Sequence, residues 1–175
     1  EAAIEYKNAV KKEPNFGEAR YKLAETLAEL GDMPGAFREY IRAADLLPGD
    51  RDAQLKAGTF LLLGGQFEDA KVRAQKVLAI DARNVEAQVL IANIAAGLKD
   101  LGGAIREIRK AIALDPKDGR THLNLGALQM ASGLKVEAEA TFKQAVEIDP
   151  KNVLARLALA KFYWATGRAA EAEQS

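Results

Sequence analysis

A chain of 175 residues that is 49% hydrophobic and 29% charged is long enough to bury a core and too apolar to stay disordered. Its 25 Lys and Arg balance 25 Asp and Glu, so no net field draws it to nucleic acid or to an anionic membrane surface. No apolar stretch approaches the roughly 20 residues of a membrane-spanning helix, and the lack of cysteine excludes disulfides and thiolate metal sites.

In chain order, the first predicted element is a helix over residues 1–13. From Gly17 the pattern is fuller: Tyr21, Leu23, Leu27 and Leu30 recur at helical spacing, Gly31 and Asp32 interrupt, and Ala36, Phe37, Tyr40 and Ala43 restart the helix before Pro48 stops it. This helix, turn, helix, stop pattern then repeats. Alanines at 2, 36, 70, 104, 138 and 172 are each 34 residues apart. Pro14, Pro48, Pro116 and Pro150 keep that step with Ala82 in the missing slot, as do Gly31, Gly65, Gly133 and Gly167 with Lys99 in theirs. Small residues at Ala24, Gly58, Ala92, Gly126 and Ala160 follow the same interval. The units are 17–50, 51–84, 85–118 and 119–152, preceded by a second helix at 1–13 and followed by a partial unit at 153–175. Asp50, Asn84, Asp118 and Asn152 are placed to cap first helices, and Asp32 and Asp100 to cap second ones, because a short polar side chain there accepts from free N–H groups. Pro34 falls in a first turn, where its missing N–H is harmless.

With Leu23, Ala24, Leu27, Ala36, Tyr40, Ala43 and Pro48 at fixed places in one unit and similar residues in the others, the whole chain resembles the tetratricopeptide repeat family. The resemblance implies an all-α, right-handed α-solenoid of antiparallel helix pairs forming one array. Small residues are expected where helices cross, since helix axes approach within about 8–10 Å only where side chains are short. Both ends fall inside a unit, so a stretch of a longer array is expected, with apolar end faces that could stack copies end to end.

Chemistry-bearing motifs are missing: there is no phosphate-binding glycine loop, HExxH, CxxC or GxSxG. The one histidine, His122, has no second nitrogen or sulfur ligand available for a zinc site and falls at a repeat position that the resemblance turns toward the neighbouring unit. Carboxylates stand a turn from basic residues, as Glu107 does from Lys110, which reads as a solvated face. The chain is expected to be non-catalytic, with no cofactor and no metal.

The resemblance further implies that first helices line a concave groove. On the positions it assigns there, the apolar floor is Tyr21, Leu55, Leu62, Val89, Leu123, Met130, Leu157 and Trp164. Asn93 and Asn124 occupy slots where family members grip a peptide backbone, each amide offering a donor and an acceptor. Basic residues that clamp a terminal carboxylate in chaperone-binding members are replaced by Val89, Leu154 and Ala158, so that clamp is missing. The acidic Glu18, Asp52 and Glu86 give way to Arg120 and Leu154 along one row, and Glu25 and Glu29 oppose Lys161 at the other end. The expected function is a scaffold holding an extended peptide or an amphipathic helix of a protein partner. The rivals are a self-associating spacer of a longer array and a targeting arm of an enzyme. No feature selects a compartment outright, although the Ala-rich style resembles bacterial envelope scaffolds and favours the envelope or periplasm over the cytoplasm.

Overall fold

The computed structural model describes residues 2–174, and among these the chain forms helices and no strand. The helices are α1 (Ala2–Lys12), α2 (Gly17–Glu29), α3 (Met33–Leu46), α4 (Arg51–Leu63), α5 (Phe67–Ile80), α6 (Val85–Gly97), α7 (Leu101–Leu114), α8 (Gly119–Ala131), α9 (Lys135–Ile148), α10 (Val153–Ala165) and α11 (Ala169–Gln174). Even-numbered helices are thus the first helices of the units. The longest has 14 residues, and no helix is long and apolar enough to cross a membrane among the described residues.

All six expected caps form. Asp32, Asp50, Asn84 and Asp100 each accept from the amide three residues on, at 2.7–2.9 Å. Asp118 accepts from the Arg120 amide at 3.0 Å, and Asn152 from the amides of Leu154 and Ala155 at 3.0 and 3.2 Å. Each satisfies an N–H that the helix cannot, which is typically worth about 1 kcal/mol.

The glycine row ends the first helices. Gly31, Gly65, Gly133 and Gly167 have φ of 80°, 72°, 76° and 78°, in the left-handed region. After each, an amide reaches back to a carbonyl of the last turn, as Asp32 does to Leu27 at 2.9 Å. Lys99 adopts φ 64° in the same slot, and Asp100 still donates to Ala95 at 2.9 Å. The turn is therefore imposed on a residue that disfavours it by the helices on either side.

The chain divides into two compact units, residues 1–90 and 91–175. In the first, α1 packs on α2, α2 on α3, α3 on α4 and α4 on α5. Its core joins Leu23, Ala24, Leu27, Ala36 and Tyr40, with Tyr6, Val10, Tyr21 and Phe60 against it. A second cluster of Ala44, Ala53 and Ala57 lets α3 and α4 approach closely. In the second unit α7, α8, α9, α10 and α11 pack in succession, and α8 to α11 meet around Ala138, Phe142, Leu159, Phe162 and Tyr163. The alanines at 36, 70, 104 and 138 are all fully buried, as their spacing predicts.

Polar side chains tie consecutive helix pairs together. Gln54, wholly buried, donates to the carbonyls of Ala44 and Leu47 at the end of α3, at 2.5 and 3.2 Å, the latter also accepting from the Asp50 amide at 3.1 Å. Arg73 donates to Gln54 Oε1 at 3.2 Å and to Asp45 at 2.6 Å. One period earlier, Arg20 stands in the place of Gln54 and Glu39 in that of Arg73, and Arg20 donates to the Pro14 carbonyl at 2.8 Å and to Glu39 at 2.6 Å.

Candidate functional site

Among first-helix residues of the 1–90 unit, Tyr21 is half-buried on α2, and Leu62 is half-buried on α4. Leu55 is 8% exposed and presents almost no surface for a ligand. Tyr21 meets Tyr40 edge-on at 5.5 Å between centroids, and Tyr40 meets Phe60 at 4.9 Å, so the Tyr21 ring is backed by a rigid aromatic stack. Its phenol is pushed up to about 12, first by burial and then by Glu25, Tyr40, Asp52 and Asp50. Lys22 pairs with Glu25 at 2.7 Å and places its ammonium 5.8 Å above the Tyr21 ring.

Beside Tyr21 opens a cleft of about 500 Å³ between α1, α2 and the start of α4. Tyr6, Phe16, Tyr21 and Leu47 wall it, while Glu18, Asp50 and Asp52 carry carboxylates into its lining. Sequence reasoning named only Tyr21 of the four walls. Tyr6 lies on the second helix of the partial unit and Phe16 in the connection before α2, and neither position belongs to the first-helix rows used to enumerate the groove.

A second cleft of about 530 Å³ runs between the second helices α3 and α5, over Phe37, Ile41, Leu61 and Val72, with Arg38, Arg42 and Lys76 at its edge. It too was not foreseen. Its only sequence signal is the basic residues on the solvent side of two second helices, indistinguishable in one dimension from an ordinary charged surface.

Val89, in the first unit, is half-buried on α6. In the second unit Asn93 is half-buried on α6, and Leu123, Asn124 and Met130 are half-buried on α8. Leu123 and Met130 pack against the Phe142 and Phe162 cluster, so part of each is core. α10 presents the larger apolar surface: Leu157 is 45% exposed, Leu154 65% and Trp164 69%. Its register alone would also let Trp164 pack under the last helix, but α11 instead sends Ala172 toward that cluster, and the indole borders a shallow depression of about 270 Å³ with Lys161. α11 is held by Arg168, which bonds Glu139 at 2.5 Å and Glu171 at 2.7 Å and lies 4.6 Å over the Tyr163 ring.

His122 is 1% exposed, its Nδ1 standing 3.0 Å from the Asp118 carbonyl, which makes it a packed residue of the α8 start. Among the described residues, no three of His, Cys, Asp or Glu gather as a metal ion would require. Glu107 and Lys110 pair at 2.9 Å on an open face.

Models of the tetratricopeptide repeat match residues 1–51, 55–119 and 90–153, and a further one matches 136–175. The chain belongs to the tetratricopeptide repeat family. Its all-α solenoid class and 34-residue period are those of the family. Among curated proteins no sequence matches. Of solved structures, a thermophilic tetratricopeptide repeat protein of Thermus thermophilus is 23% identical with a TM-score of 0.76, over 89% of this chain and 86% of that one. MamA from Desulfovibrio magneticus RS-1, from residue 41 onward, is 24% identical with a TM-score of 0.74, over 86% and 85%. YrrB, described as a tetratricopeptide repeat protein with an unusual peptide-binding site, is 19% identical with a TM-score of 0.62, over 97% and 88%. At these identities the likeness is one of fold. Membership of the tetratricopeptide repeat family supports a protein–protein interaction scaffold.

Proposed function

We propose that this chain is a non-catalytic scaffold that takes an extended peptide, or the amphipathic helix of a protein partner, on the exposed faces of its first helices. The observation that carries the reading is the apolar surface of α10, where Leu154, Leu157 and Trp164 stand open to solvent at 65%, 45% and 69%. An indole with most of its surface in water and a lysine beside it is the kind of amphipathic contact that binding surfaces use. Asn93 and Asn124 supply the polar part, each half-buried and so able to reach a peptide amide or carbonyl at its outer edge. That YrrB is described as having a peptide-binding site adds support from a protein of the same fold.

The test is a titration of a peptide selected from a random library, read by the fluorescence of Trp164, the only tryptophan. Two neutral hydrogen bonds at roughly 0.5–1.5 kcal/mol each mean that Asn93→Ala with Asn124→Ala should weaken binding by about tenfold or more at unchanged helicity. Equal affinity of parent and double variant removes the asparagines from the site. The exposed α10 face also suits a second copy of the chain. A library without binders, together with a mass in solution that grows with concentration, would favour that self-associating reading.

A further inference from the structure

The cleft beside Tyr21 combines two features that a cation recognises. Its walls are aromatic, and Phe16 is 42% exposed at its edge. Carboxylates also line it: Glu18 and Asp52 stand in the first turns of α2 and α4, and neither has an ion-pair or hydrogen-bond partner among the described residues. Asp50 is committed to capping α4 through the Ala53 amide, and Glu25 to Lys22. Two exposed carboxylates therefore border an apolar space without an ion-pair partner of their own. The one cation present, Lys22, is drawn off to Glu25, yet its ammonium lies over the Tyr21 ring, so the electrostatics of that ring face already favour positive charge. Burial does most to raise the Tyr21 phenol, and Glu25, Tyr40, Asp52 and Asp50 add to it.

We propose that this cleft seats the positively charged side chain, arginine or lysine, of a partner peptide, with Tyr6, Phe16 and Tyr21 around its aliphatic stem and Glu18 and Asp52 at its head group. The proposal rests on the reading that the first helices carry a peptide, and names one residue type of that peptide. The fit is by shape and sign. A stem of three or four methylenes needs an apolar channel, the head needs acceptors at its end, and an aromatic face adds attraction that an aliphatic wall would not. A negatively charged side chain would meet two uncompensated carboxylates and be rejected, so the cleft also sets the direction in which a peptide of uneven charge lies.

The experiment uses an acetylated, amidated alanine–arginine–alanine tripeptide, which carries no charge other than the guanidinium, and its citrulline counterpart, which has nearly the same shape and none. Binding is followed by the amide resonances of α2 and of the start of α4 in the whole chain. The arginine peptide should give saturable shifts at Glu18 to Lys22 and Arg51 to Ala53, weakened by salt, and the citrulline peptide should bind about tenfold more weakly or worse. Glu18→Gln with Asp52→Asn, exposed and isosteric changes that leave the Asp50 cap intact, should abolish that discrimination without changing helicity. Equal shifts from both peptides, or shifts confined to other helices, would overturn the proposal. The two readings fail separately. If the library-selected peptide binds parent and Glu18→Gln, Asp52→Asn protein alike, peptide binding stands and the cation seat falls. Discrimination for arginine with no library binder keeps the seat and removes the wider peptide groove.

Discussion

Gly126 is the residue at which the small-residue rule is most sharply testable. It sits inside α8, where replacing glycine by alanine ordinarily stabilises a helix by about 1 kcal/mol. Packing opposes this. A Cβ at Gly126 would lie 2.5 Å from Phe142 Cε1 and 2.8 Å from both Cδ1 and Cζ. The ring would have to retreat by about 1 Å to reach ordinary van der Waals separation. It has nowhere to go, because Phe142 is 6% exposed and its ring lies 5.9 Å from that of Phe162, itself 5.6 Å from Tyr163. Overpacking of this kind costs roughly 1–3 kcal/mol, so Gly126→Ala should be destabilising by about 1 kcal/mol net, lowering the melting temperature by about 2–4 °C. The control is Gly102→Ala on α7, where the new methyl would meet nothing nearer than 3.7 Å and the helix gain stands alone. Urea unfolding followed by circular dichroism measures both. Phe142→Leu completes the cycle: in that background Gly126→Ala should turn from loss to gain, a coupling of about 1–3 kcal/mol. If Gly126→Ala raises the midpoint of the parent as Gly102→Ala does, or if its cost is the same with and without the phenylalanine ring, the close approach is not what holds this position to glycine.

Two other predictions concern a strained turn and a tether. Lys99→Gly should stabilise by about 0.5–1 kcal/mol, since relief of a left-handed non-glycine residue, roughly 1–2 kcal/mol, exceeds the added freedom of glycine in the unfolded chain; a fall in the denaturation midpoint would refute it. Arg168 and Lys143 hold the Glu139 carboxyl down at about 2 from an ordinary 4.5, so its contribution is complete above the ordinary carboxylate range and lost as pH falls from there toward about 2. Parent and Glu139→Gln should therefore differ in stability near neutral pH and converge in acid, as read by denaturation midpoints across pH; a difference that stays constant with pH would show that the pair does no electrostatic work.

Much of this protein was legible in one dimension, and the reason is physical. In a helical array each contact joins residues in the same or an adjacent unit, so the 34-residue step carries the contact map as well as the helices. The fully buried alanines at 36, 70, 104 and 138, the six caps and the glycine turns all follow from that register, because each depends on local geometry and on a neighbour at known separation. Even Lys99 stands out in the sequence as the exception in its row, although only the backbone, at φ 64°, shows that the turn holds its shape without glycine.

Surface is where the register stops informing. Leu55 and Leu157 occupy the same repeat position, yet one is 8% and the other 45% exposed, because the cover each receives comes from whichever helices pack beside it. Trp164 was equally compatible with a buried and an open role, and only the tertiary structure shows its indole 69% exposed, beside Ala172 and Glu173 of α11. The cleft beside Tyr21 takes its walls from α1, the connection before α2, α2 itself and the end of α3, so no single repeat position predicts it. Burial and cavities depend on the distances among several elements at once, and a periodic sequence specifies which residues are neighbours without specifying how much space is left between them.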